Sequence, residues 1–248
     1  MKVICQKRSA HVTEIILNRP EKRNAVDFDV IKQLTDCLQR LKTDKTISVL
    51  VIRGAGESFC SGGDLHSFHS LQTKEDALTM LSPMCEVLKL IATFPAITVS
   101  LLNGTAVGGG AEIASATDYR LSLNRGVLGF IQGNLHITTG WGGASLLKKR
   151  VGKENALSML ATANKFTMAE AYDFGFIQVF IDDVSEVDNW ARQWIDPEVV
   201  QAYKRVLHTK KEQQELFLAM DEEIEACASL WESESHHLAV NTFLTKKK

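Results

Sequence analysis

Gly108, Gly109 and Gly110 run consecutively within NGTAVGGGAEIASATDYRL, and Glu112 follows two positions on. Glycines beside a helix are costly, because each loses more backbone freedom on ordering than any other residue. What they offer is bare backbone. The first amides of a helix have no internal partner and carry the positive end of its dipole. With no Cβ in the way, an oxygen can approach them closely, either as an anion or as a carbonyl becoming an oxyanion. Glu112 sits three positions after Gly109, within one helical turn and on much the same face. A carboxylate there can work on the carbon next to a carbonyl held at Gly109. The same residues also suit a tight strand-to-helix turn with a solvent-facing glutamate. No G-K-[ST] follows and no G-x-G-x-x-G is present, so the run is not a nucleotide loop.

A second corner, GESFCSGGDLHSF, places Gly62 and Gly63 after another apolar run. One amide from each corner would grip a single oxygen from two directions, as an enolate or tetrahedral oxyanion requires. Competing chemistries read poorly. Ser61, Asp64 and His66 lie too close in sequence for a hydrolase triad, and no G-x-S-x-G elbow occurs. Cys60 reads as a small packed thiol. His66 and His69 lack further ligands, so no metal site is expected. His236 and His237 read as surface or interface residues, and Asp118 as a residue that caps or orients the strand after it. Trp141 fits either a pocket wall or the core. Met168, Phe174 and Phe176 read as core.

These residues need elements to hold them. KVICQKR and VTEIILNR predict an opening hairpin. Pro20 breaks the pattern, and VDFDVIKQLTDCLQRLKTD has helical spacing with Ile31, Leu34, Leu38 and Leu41 on one face. SVLVIRG and PAITVSLLNG predict strands buried on both sides. AGESFCSGGDLHSFHS reads as a loop, and KEDALTMLSPMCEVLKLIATF as a helix that Pro83 kinks or whose true start it marks. AEIASATD predicts a short helix and YRLSL a strand, so a strand–loop–helix–strand unit occurs twice. Beyond about residue 142 the chain is helical except for FIQVFID.

The totals bound the class. The chain has 248 residues, 45% hydrophobic and 23% charged, enough for a large core without disulfides or metals. A formal net charge of -2 argues against nucleic acid or an anionic membrane as partner. The five cysteines are scattered with no C-x-x-C, which suggests reduced thiols and a cytoplasmic location. The amino-terminal stretch does not read as a secretory signal, and nothing approaches the roughly 18 apolar residues of a membrane span.

Taken together, the motifs resemble the crotonase (enoyl-CoA hydratase/isomerase) superfamily. ILNRPEKRNAVD, SFCSGGDL and NGTAVGGGAEIASATDYRL carry the resemblance, with a weaker match at TTGWGGASLLKKRVG; together they span roughly residues 14 to 152. The resemblance implies an α/β fold: a spiral of ββα units over residues 1–180, followed by a helical portion over 181–248 that serves oligomerisation, as a homotrimer or hexamer. It implies an acyl-CoA thioester substrate whose enolate is held by the Gly63 and Gly109 amides. Asp64, Leu65 and His66 match the segment lining the CoA and pantetheine path, Asn24 and Ala25 the turn beside CoA, and Trp141 a pocket wall. Lys22 and Arg23 fit either CoA phosphates or an exposed basic pair. CoA belongs to the substrate, so no metal or redox cofactor is implied.

The hydratases of this superfamily use two glutamates. The first maps onto Glu112. The second maps onto Gln132, with Ile131 where a proline is usual and His136 where a glycine is usual; none of Phe130 to Thr139 is acidic. An amide exchanges no proton at neutral pH. The sequence therefore implies an enzyme of the hydratase/isomerase type in which Glu112 handles protons and Gln132 orients water or substrate. The alternatives are a carboxyacyl-CoA decarboxylase of the methylmalonyl or ethylmalonyl type, in which Gln132 meets the departing carboxylate, and a non-catalytic acyl-CoA-binding scaffold.

Overall fold

A computed structural model of the chain describes residues 1–194 and 196–245. The chain opens with the expected hairpin, β1 (Val3–Lys7) and β2 (Val12–Leu17), paired antiparallel with Val3 opposite Leu17. Helix α1 (Phe28–Leu41) starts where Asp27 accepts a hydrogen bond from Val30 N, and it buries Ile31, Leu34, Leu38 and Leu41 as their spacing predicts. Three strand pairs follow. β3 (Val49–Gly54) leads to β4 (Ser58–Cys60), then α2 (Leu65–Phe68) and α3 (Lys74–Ala92). β5 (Ile97–Leu102) leads to β6 (Thr105–Val107) and α4 (Gly109–Ala116). β7 (Tyr119–Ser122) leads to β8 (Val127–Gly129) and a 3-10 turn over Ile131–Leu135.

The first member of each pair joins a large sheet and the second a small one. The large sheet has the order β1-β2-β3-β5-β7 and ends on β10 (Val179–Phe180), parallel from β2 onward. The small sheet runs β4-β6-β8 in parallel and ends on an antiparallel β9 (Phe166–Thr167). This is the ββα spiral that the motifs imply. The remaining helices are α5 (Gly143–Val151), α6 (Lys153–Ala161), α7 (Met168–Asp173), α8 (Glu186–Ala191), α9 (Pro197–Leu207), α10 (Lys210–Trp231) and α11 (Glu234–Thr245).

The large sheet is apolar on both faces because both are covered. One face contributes Ile15, Leu50 and Ile52 to a core that includes residues of α1, α3 and α10. The other contributes Val49, Val51, Val99 and Leu121 to a second core closed by Val187 of α8 and Val200 of α9. Met168 and Phe176 are core residues as expected, and Phe174 is partly buried against them. Among the described residues no helix is long and apolar enough to cross a membrane.

Three expectations need correcting. The segment read as one loop after β3 contains β4 and the one-turn helix α2, each too short for a periodic pattern to register. The stretch past residue 142 holds a second strand besides the one in FIQVFID, the two-residue β9. Pro83 lies inside α3 and does not mark its start, which is set by a Thr73–Asp76 capping box.

Candidate active site

Parallel pairing of β4 with β6 brings the two glycine corners side by side, since each corner follows its strand directly. A Cβ on Gly62 would lie 2.9 Å from Gly109 N, so the two bends are in contact. Gly109 itself is packed against Trp141: a Cβ there would sit 2.0 Å from the indole ring. Such contacts leave room for glycine alone.

Both proposed donors are free. Gly109 N belongs to the first residue of α4 and has no acceptor within its helix. At the first corner Val26 N bonds Gly62 O and Asp64 N bonds Val26 O, each at 2.8 Å, which leaves Gly63 N outside the bridge. Gly63 and Gly109 line a cavity of about 740 Å³ together with Glu112, Gln132 and Trp141. Its remaining walls are largely apolar, with Leu65, Phe68, Leu81 and Ile137 among them. Its far side is covered by this chain's own α11, through Leu238, Ala239 and Phe243.

Glu112 is 2% exposed, in the first turn of α4. Its Oε2 accepts from Trp141 N at 2.9 Å and Gly143 N at 3.0 Å, and its Oε1 accepts from Gln132 Nε2 at 2.7 Å. Burial, reinforced by the nearby Glu223 carboxylate, pushes its pKa up to about 8 despite those three bonds. Burial thus shifts Glu112 toward its protonated form. Gln132 projects from the 3-10 turn, and its Oε1 is buried with no protein partner. The pair thus turns one acid and one unsatisfied amide group toward the cavity. Trp141 joins both of its expected roles, being 4% exposed, bonded through Nε1 to Met80 Sδ at 3.3 Å, and part of the cavity wall.

The other residues singled out in the sequence fall in two groups. Leu65 lines the cavity. Asp64, His66, Asn24 and Ala25 lie outside its lining. Asp64 caps α2 by accepting from His66 N and pairs with Arg19 at 2.9 Å. His66 is exposed. Asn24 is 1% exposed and ties the chain locally, accepting from Arg19 N and donating to Ala55 O and Ser58 O. Ala25 O accepts from Arg19 Nη1 at 2.7 Å. Lys22 and Arg23 are exposed. Cys60 is a packed thiol whose pKa burial pushes up to about 12.

His236 departs from expectation. It is 2% exposed, lines the cavity, and donates from Nδ1 to Leu135 O at 2.7 Å. That bond leaves Nε2 as an acceptor. Burial lowers the pKa of the ring, so it stays neutral.

The family model for enoyl-CoA hydratase/isomerase matches residues 7–248. The chain belongs to the enoyl-CoA hydratase/isomerase family. Within this family it is 32% identical over 215 residues to the ethylmalonyl-CoA decarboxylase of Bos taurus, covering 84% of this chain and 70% of that protein. It is 30% identical over 236 residues to the ethylmalonyl-CoA decarboxylase of Homo sapiens, covering 91% and 76%. A solved enoyl-CoA hydratase from Bacillus halodurans superposes with a TM-score of 0.90 at 23% identity, over 98% of this chain and all of that one, and so shares the fold. An enoyl-CoA hydratase/isomerase from Xanthobacter autotrophicus Py2 does so with a TM-score of 0.90 at 21% identity, over 99% and 93%. This crotonase-family chain is thus an enzyme of an acyl-CoA-handling fold whose named curated relatives are decarboxylases.

Proposed function

We propose that the chain is a carboxyacyl-CoA decarboxylase acting on a thioester of the ethylmalonyl or methylmalonyl type. The observation that carries this reading is the 2.7 Å pairing of one buried acid, Glu112, with an amide, Gln132, in the same cavity. Two glutamates in this cavity would repel a substrate that brings its own carboxylate. One neutral acid and one amide would not. The relatives named ethylmalonyl-CoA decarboxylase point the same way.

In this mechanism the thioester oxygen sits between the Gly63 and Gly109 amides. The bond between the α-carbon and the carboxylate breaks, CO₂ leaves, and the electron pair enters the enolate held by those amides. Glu112 gives its proton to the α-carbon, forming the C–H bond, and is reprotonated from solvent. Gln132 keeps the donor oriented through Glu112 Oε1. Substrate CoA is part of the thioester, and the chemistry asks for no electron carrier.

The test supplies purified protein with ethylmalonyl-CoA, methylmalonyl-CoA, crotonyl-CoA and a β,γ-enoyl-CoA, and follows products by mass. Butyryl-CoA from ethylmalonyl-CoA, with little hydration of crotonyl-CoA, is expected. Rapid hydration or double-bond shift without decarboxylation would overturn the reading, and binding without turnover of any thioester would favour a scaffold. Gln132→Glu adds a carboxylate to the cavity and is expected to raise KM for ethylmalonyl-CoA by about tenfold or more, an energy of about 1.4 kcal/mol.

A further inference from the structure

Helix α5 begins against two carboxylates. Gly143 N donates to Glu112 Oε2 at 3.0 Å. The next two amides, Ala144 N and Ser145 N, donate to Glu223 Oε1 and Oε2, each at 2.9 Å. Glu223 also accepts from Ser145 Oγ at 2.8 Å and from Thr139 Oγ1 at 2.6 Å. It reaches this place from α10, far along the chain. One side chain thus closes both ends of the 139–145 segment, and the Trp141 and Gly143 amides inside that segment hold Glu112.

We propose that Glu223 is a positioning residue for the reaction: it clamps the segment that orients Glu112, and its negative charge at the shared helix end leaves the proton on Glu112. A helix N-terminus supplies about half a positive charge, too little for two full negative ones. Like charges at one site leave one group protonated. Glu223 is half-buried and takes four hydrogen bonds, whereas Glu112 is sealed from solvent. Burial therefore penalises a charge more heavily at the inner acid, Glu112. Repulsion by Glu223 is, after burial, the largest influence raising Glu112. The neighbouring thiols of Cys227 on α10 and Cys85 on α3 are pushed up by burial and stay neutral. His136, His236 and Lys165 also line the cavity. Among the described residues no cation forms an ion pair with Glu112 or Glu223 within 4.0 Å.

The inference rests on Glu112 as the proton donor, but its test does not need turnover. Full-length protein labelled with ¹³C at the glutamate carboxyls is titrated, and the resonance missing in Glu112→Gln is assigned to Glu112. Glu223→Gln is expected to lower its titration midpoint by about one pH unit, a tenfold change in proton affinity. In the decarboxylation assay the alkaline fall in kcat should move by the same amount, and lowering the pH should restore activity. A clamp without electrostatic influence would lose activity at every pH with the midpoint unmoved, and that result would overturn the proposal. Glu223→Asp keeps the charge and is expected to keep the midpoint near 8; a fall there to the ordinary carboxylate range would overturn it too, and this variant decides the matter if Glu223→Gln does not fold. A midpoint that moves as expected in a protein that decarboxylates nothing would sink the proposed reaction while leaving the Glu223 linkage standing.

Discussion

Glu112 lies in the first turn of the short helix α4 and Asp118 just past its end; both are withdrawn from water, yet their ionisation runs in opposite directions. Asp118, with a side chain 12% exposed, accepts from Lys204 Nζ at 2.5 Å and from Thr98 N and Oγ1 at 2.8 and 2.9 Å. Those partners, chiefly Lys204, hold its carboxyl below the usual range against the opposing effect of burial. Glu112 receives amides and a neighbouring negative charge but no cation, and its pKa goes up to about 8. Burial penalises the charge in both cases; a buried counterion decides whether the charge survives. One acid locks β5 to α9. The other is left with a proton it can give away.

Removing the proton from the contrast should have the largest effect. Glu112→Gln can keep all three hydrogen bonds, if Gln132 turns its amide over, and should retain the fold by circular dichroism. Turnover should fall by about 10²–10⁴-fold; activity within a few fold of the parent would end the claim that this acid moves the proton. Removing the counterion comes next. Lys204→Met leaves Asp118 without its cation and should cost about 3–5 kcal/mol in urea denaturation, while near-parental stability would show that the pair holds little. The smallest effect is on pH dependence, because it spreads over a wide range. Glu112 has a native pKa above its ordinary value of 4.5, so between about 4.5 and 8 the unfolded chain releases a proton that the native chain keeps. Its contribution is full below 4.5 and is lost as pH rises through 8. Asp118 behaves inversely: its contribution is present above its ordinary value of 3.8 and is lost as pH falls through its lowered native value. Glu112→Gln should flatten the fall in stability between about pH 4.5 and 8 and leave the limb below 3.8, and an unchanged slope between 4.5 and 8 would contradict the assignment.

Much of this site was legible in the sequence, for physical reasons. The glycine corners announced themselves because close backbone approach permits nothing larger, as Gly109 against Trp141 illustrates. Counting back from Gly140 located Gln132, whose contact with Glu112 the structure supplies. Local periodicity also marked α1 and the strands of the large sheet. The short strands β4, β6 and β8 were less visible, since three residues carry no alternation to read. Residues brought in over long chain distances were hidden. Glu223 sits in the acidic run DEEIE, which looks like a solvated helix face, and nothing local reveals that it caps α5. His236 looked like a tail residue because its burial depends on α11 folding back over the 3-10 turn.

That fold-back has a genetic consequence. Each copy of the chain roofs its own chamber with α11 and supplies its own acid to the same chamber. A copy cut short before Glu234 and a full copy carrying Glu112→Gln have no intact chamber to make between them, so co-expressing the two defective copies should not restore catalysis.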